Sequence, residues 1–177
     1  MSIERLGEIL APPMNPIDVP LARAWSSIEK KFCKLPDDYK NFIETYGSGC
    51  IDGFIWIFNP FASNRNLNLS DQVQVKIEAL NDLAKTFNEG IPFPLFPEPN
   101  GLLPFGVTDN GDVLFWQVTK DPVDWKVIIN AAREPKWEKY DVGMTDLLAG
   151  LLSRKLICGI FPEDFPSNHP MFYQLPT

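Results

Sequence analysis

Proton relay of the Ser-His-Asp or Cys-His kind needs an imidazole, and the single histidine, His169, stands beside Pro170 with no nucleophile or orienting acid near it in sequence. It reads as a surface loop residue. Cys33, Cys50 and Cys158 are odd in number, far apart and without a CxxC pair, so neither a disulfide framework nor a zinc knuckle is expected. The closest carboxylate pairs, Asp109-x-x-Asp112 and Asp121-x-x-Asp124, lack the glycine-and-glutamate pattern of a calcium loop. Asp109 and Asp112 flank Asn110-Gly111, which is ordinary turn chemistry. Gly47-Ser48-Gly49 is not a phosphate cradle, because no Lys-Ser or Lys-Thr pair follows and a helix pattern precedes the glycines. Glycoside hydrolysis needs two placed carboxylates, and nothing among the 23 acidic residues selects a pair. Trp25, Trp56, Trp116 and Trp125 lie in apolar runs, so burial rather than sugar stacking is their default. The chain therefore reads as a non-enzyme with no metal and no cofactor.

Composition narrows the setting. A chain of 177 residues fits one domain, and at this size a domain buries about 70% of the surface its unfolded chain exposes. Hydrophobic residues make up 45% and aromatic residues 12%, enough for a core without staples. A formal charge of −7 disfavours direct binding to phosphate backbones and favours a basic protein partner. Glu4, Arg5 and Glu8 interrupt the apolar residues of the N-terminus, unlike a secretory signal, and no apolar run approaches the ~20 residues of a membrane span. A cytoplasmic protein with no membrane contact is expected.

Positioning elements follow from periodicity. Trp25, Ile28 and Phe32 share a helical face over residues 22–33, and a second helix starts after Leu35-Pro36 and runs through Tyr39, Phe42, Ile43 and Tyr46 to Gly47. Phe54 to Phe58 is an apolar strand. Ser70 is placed to cap a helix with Val73, Ile77, Leu80, Ala84 and Phe87 on one stripe, ending at Gly90. Alternation around Asn110-Gly111 predicts a hairpin with a type I′ turn, positive φ at both central positions, and a second strand covered on both faces. Residues 125–130 and 137–142 offer further strands, and Thr145 is placed to cap a last helix. The order implies an α+β single domain: an antiparallel sheet packed with about four helices, then an irregular tail rich in proline and aromatics. The expected division is an extension at 1–20, the domain at 21–156, and a strap at 157–177 packed on it.

Several blocks in order carry a resemblance: Trp25-x-x-Ile28-Glu29; Leu35-Pro36-x-Asp38-Tyr39-Lys40-x-Phe42; Tyr46-Gly47-Ser48-Gly49; and Gly101-Leu102-Leu103-Pro104-Phe105-Gly106, followed by Thr108-Asp109-Asn110-Gly111-Asp112 and Phe115-Trp116. Together they resemble the SUKH superfamily, the Smi/Knr-like group of fungal cell-wall-synthesis regulators and bacterial immunity proteins. The resemblance spans roughly residues 21–152 and implies a binding module. In bacteria such a protein neutralises a cognate polymorphic or contact-dependent toxin, often a nuclease. The alternative it implies is a regulatory scaffold like the fungal members, which carry the domain between long disordered arms that this sequence lacks. Acidic side chains can imitate the phosphates a basic nuclease expects, so the expected partner-binding residues are Asp109, Asp112, Asp121, Asp124 and Glu134. Oligomeric state is left open.

Overall fold

The computed structural model describes residues 3–21, 23–87 and 90–175. Its framework is a seven-stranded sheet made of β1 (Gly49–Ile51), β2 (Ile55–Ile57), β3 (Leu102–Thr108), β4 (Val113–Gln117), β5 (Lys126–Asn130), β6 (Trp137–Tyr140) and β7 (Phe172–Gln174). The spatial order is β6-β5-β4-β3-β2-β1-β7, and every neighbouring pair is antiparallel. The fold is α+β, as the element order implies.

Strand alternation divides the apolar residues between two cores. Leu103, Phe105, Leu114, Trp116, Val127 and Ile129 enter the larger one, while Leu102, Val113, Phe115 and Ile128 enter a smaller one on the opposite face. β4 is thus buried on both sides, as its doubly apolar sequence demands. The larger core is closed by α1 (Ile3–Ile9), α3 (Asp37–Tyr46) and α5 (Met144–Leu152). α5 is apolar nearly all round and accordingly buried along its length. α2 (Ala24–Lys31) lies outside, anchored by Trp25 edge-on to Tyr39 and Phe61. α4 (Leu69–Phe87) enters the larger core through Leu69 and Val73 and the smaller through Leu80.

Five α-helices stand among the described residues against about four expected, and the additional one is α1. Its Leu6, and Leu10 just beyond its end, are fully buried, so this segment supplies core. Ala22, the expected start of the first helix, and Asn88–Glu89, before the expected stop at Gly90, lie outside the described residues, as do Met1, Ser2, Pro176 and Thr177. α4 is capped not by Ser70 but by Asn68, whose side-chain oxygen accepts from Ser70 N at 3.0 Å, two residues earlier than the preference for serine suggests. Thr145 does not cap α5 either; Gly143 holds the N-cap position. The tail is not irregular throughout, since β7 adds to β1. Phe161 and Phe165 close around Phe54, and Asp52 accepts from both N and Oγ of Ser167 at 2.6 and 2.7 Å.

An ion pair fastens α2 to α3. Lys40 Nζ lies 2.6 Å from Glu29 Oε1, which also accepts from Leu35 N at 3.1 Å. Burial pulls the Glu29 carboxyl upward, but Lys40 and the Leu35 N–H outweigh it and hold it below the ordinary value. Burial likewise pulls Lys40 downward, and Glu29 with Asp37 overcomes this and holds it above its ordinary value. A carboxyl depressed by folding stabilises fully above its unfolded value of about 4.3 and loses that contribution as the pH falls through the folded value. Lys40→Met is therefore expected to flatten the loss of stability between about pH 6 and pH 3, read from denaturant midpoints. Phe161→Ala empties an aromatic contact of the tail and is expected to cost about 3 kcal/mol in equilibrium unfolding; a change below about 0.5 kcal/mol would show that the tail does not brace the domain.

Candidate functional site

The motif residues turn inward. Tyr39 is fully buried, and its hydroxyl donates to the Phe58 carbonyl at 2.6 Å. Its neighbour Asp38 reaches across the core, where Oδ2 accepts from Thr145 N at 3.0 Å and from Thr145 Oγ1 at 3.3 Å. A residue in α3 thus supplies the cap of α5. Gly143 makes room for it, since a Cβ there would stand 3.0 Å from Asp38 Oδ2. Gly47 ends α3 with φ +65°, and a Cβ would lie 2.0 Å from the Ile17 carbonyl, which accepts from Ser48 N. Gly47-Ser48-Gly49 is a packing site for the N-terminal segment and opens β1, a strand not expected from the sequence.

The five acidic positions do not form one patch. Asp109, Asp112 and Glu134 sit at the end of the sheet where the β3–β4 and β5–β6 connections meet, because Ala132 N donates to Asp112 Oδ1 at 3.0 Å. Asp121 and Asp124 occupy the β4–β5 connection at the other end, roughly 14 Å away along β4 at the usual strand rise. Asp109, Asp121, Asp124 and Glu134 are exposed. Asp112 is buried, and its second oxygen accepts from Thr108 Oγ1 at 2.8 Å. Asp109 Oδ1 accepts from Trp56 Nε1 at 2.7 Å, and Asp121 Oδ1 accepts from Val123 N at 3.1 Å, capping a 3₁₀ turn over Pro122–Asp124.

The hairpin turn also departs from expectation. Asn110 does not have positive φ; Gly111, at +92°, does, and Gly111 N donates to the Thr108 carbonyl. The connection is a three-residue loop, a β-turn followed by a left-handed glycine, because Thr108 and Asp112 pair through both backbone and side chain. Paired positive φ values occur instead at Asp52 and Gly53, in the β1–β2 hairpin.

Among the concavities that the described residues form, three bear on the site. An apolar groove of about 640 Å3 runs between the end of α4 and β5–β6, lined by Leu83, Phe87, Ile91 and Trp137, with Arg133 and Glu134 at its rim. Leu83 and Phe87 line it while being 50% and 64% exposed. A smaller hollow of about 340 Å3 lies beside Trp56 and Asp109. The third, about 460 Å3, lies between the starts of α3 and α5 and the β4–β5 connection. Asp37, Asp38, Asp121, Asp141 and Asp146 line it, with Lys34 and Lys126. Of these Asp121 was expected from the sequence as a partner-binding residue and Asp38 as a motif residue; Asp37 and Asp141 are separated from Asp121 in the chain, and packing brings them together. Among the described residues no three His, Cys, Asp or Glu side chains are grouped to hold a metal ion, and no helix is long and apolar enough to cross a membrane.

An antiparallel sheet packed with several helices, whose motif residues cap, stack and close the core, defines an α+β domain of the SUKH type. The chain belongs to that family: the family model SUKH_6, described as SMI1-KNR4 cell-wall, matches residues 23–148, well over half of the chain. Domains of this family are generally protein-binding and non-catalytic. No curated protein and no solved structure matches the chain.

The thiols are shielded as well as scattered. Burial, with Glu29 nearby, pushes Cys33 up to about 11, and burial with Asp109 and Asp52 pushes Cys50 up to about 12. Burial also raises Cys158. Thiolate is the reactive form, so all three are unreactive near neutrality. Native protein at pH 7.5 is expected to react with a disulfide reagent at least about 100-fold more slowly than the same protein in denaturant; one fast native thiol would contradict this.

Proposed function

We propose that this protein is a cytoplasmic immunity protein that binds and neutralises a cognate toxin with a basic surface, such as a nuclease. The family match carries the proposal, and the net charge of −7 sets the sign of the partner. The contact residues are Asp109, Asp121, Asp124 and Glu134, all exposed at the ends of the sheet. Asp112 contributes by tying the β3–β4 turn to Ala132, which fixes where Asp109 stands. The domain comprises residues 21–156, with both terminal segments packed on it as braces. Loops held at the ends of a rigid sheet suit recognition, because their side chains can differ without disturbing the strands beneath.

The description SMI1-KNR4 cell-wall favours a second reading, a regulatory scaffold with several partners. Capture of the tagged protein from cells carrying its genomic neighbourhood separates the two. One stoichiometric basic toxin, against which co-expression protects, is the expected result. Several substoichiometric partners support the scaffold, and a captured toxin that still kills on co-expression overturns immunity. Joint replacement of Asp109, Asp121, Asp124 and Glu134 by lysine is expected to slow association with the toxin at least about tenfold at low ionic strength, with a smaller difference at high salt.

A further inference from the structure

We propose that the free edge of β6 pairs with β6 of a second copy of this chain, antiparallel and centred on Trp137, so that two sheets join into one. Such pairing is independent of the partner proposed above. Register decides which groups are free. Ala131 N donates to the Lys136 carbonyl at 3.0 Å, so these two residues form a hydrogen-bonded pair across the β5–β6 ladder. Bonded and unbonded pairs alternate in an antiparallel ladder, and the register makes Ile129 with Glu138 and Val127 with Tyr140 the next bonded ones. The N–H and C=O groups of Trp137 and Lys139 therefore point away from β5, and among the described residues nothing bonds to them. The tail segment 157–159 is held by the side chains of Lys136, Glu138 and Tyr140 and not by this outward main chain.

The charges on the strand select a second copy as the occupant. Residues that face each other across an antiparallel pair share a side of the sheet, so odd positions oppose odd and even oppose even. Centred on Trp137, the pairing sets Glu138 opposite Lys136 of the second copy, twice over by symmetry. Each Glu138, already 3.3 Å from its own Lys136, then lies between two ammonium groups. Centred on Glu138 it would set carboxylate against carboxylate, and centred on Lys139 ammonium against ammonium, both unfavourable. The Trp137 N–H and C=O bond to their counterparts, and Lys139 comes opposite Pro135, which has no N–H to leave unpaired. On the other side of the sheet Trp137 lines the apolar groove, its ring against Phe93 and Phe115. The exposed Leu83 and Phe87 gather there as well, and such a patch marks an interaction surface. Trp137 of the second copy arrives beside its counterpart and covers part of that groove. The opposite edge of the sheet is less suited, since β7 has three residues and Gln174 Nε2 holds the Asn15 carbonyl against it. A two-fold pairing closes on itself and ends at two copies.

Sedimentation of the full chain from about 1 µM to about 1 mM tests the pairing. A monomer–dimer equilibrium with a Kd of about 10–100 µM is expected, because an edge interface is small. It should weaken as sodium chloride rises, since opposite charges face each other across the two-fold axis. Deuterium uptake at the amides of Trp137 and Lys139 should slow at least about threefold between the dilute and the concentrated protein. Lys139→Pro removes an outward N–H and adds a ring at the edge without breaking a bond to β5, so it should weaken the dimer at least about tenfold. Lys139→Ala loses only the side-chain bond to Gln117 and should change the Kd less than about twofold. A chain still monomeric at about 1 mM, a dimer that Lys139→Pro leaves intact, or one that salt tightens would each overturn the assignment. Should Lys139→Pro lower the melting temperature of the dilute monomer, uptake in the unaltered chain decides, and uptake independent of concentration overturns the pairing.

Discussion

The hydroxyl of Tyr39, sealed in the core, donates to the carbonyl of Phe58, and much of the fold is arranged around the ring that carries it. Burial drives its ionisation well above the ordinary value, so the phenol stays a neutral donor. Phe58 N in turn donates to the Phe105 carbonyl, so one short chain of bonds runs from α3 through the exit of β2 to β3. The same ring meets Trp116 edge-on at 4.8 Å, and Trp116 stacks on Phe105 at 4.4 Å. An aromatic column therefore ties α3 to both strands of the central hairpin. Each contact is worth about 0.5–1.5 kcal/mol beyond area burial, but their larger effect is to fix orientation.

With α3 held in one orientation, Asp38 is aimed at the start of α5, and Gly143 is the residue that lets it approach. The two helix starts then lie side by side above the β4–β5 connection, which creates the acidic cleft. The cleft is a consequence of core packing. It needs no motif of its own, which is why no motif in the sequence announces it.

That dependence explains what the sequence disclosed. Periodicity recovered α3, α4, α5 and β3 to β5 through the faces they bury and α2 and β6 through half-buried faces, while β2 showed as the centre of the apolar run 54–58. β1 and β7 are three residues each, too short to show a period, and β7 exists only because β1 offers an edge. α1 was missed because Glu4, Arg5 and Glu8 obscure the buried Leu6 and Leu10. The turn at Asn110-Gly111 was placed correctly and typed wrongly, since dipeptide preference knows nothing of the Thr108–Asp112 pair that selects a three-residue loop. For the site, sequence identified acidic loops but not their separation to opposite ends, which only strand register determines.

Asp109-x-x-Asp112 and Asp121-x-x-Asp124 share a spacing and have different physical roles. The first is built into the hairpin, with Asp112 buried against Thr108 and the neighbouring turn, so that changing it disturbs two connections at once. The second crosses between strands as a 3₁₀ turn whose carboxylates face solvent, and only Asp121 Oδ1 has a local task there, which asparagine can perform. A surface that must match one partner and reject others needs positions whose charge can change at little cost to stability. The β4–β5 connection has that property and the β3–β4 turn does not. Charge at Asp121 and Asp124 can therefore vary without loosening the strands, whereas a change at Asp112 reaches both the β3–β4 and the β5–β6 connections.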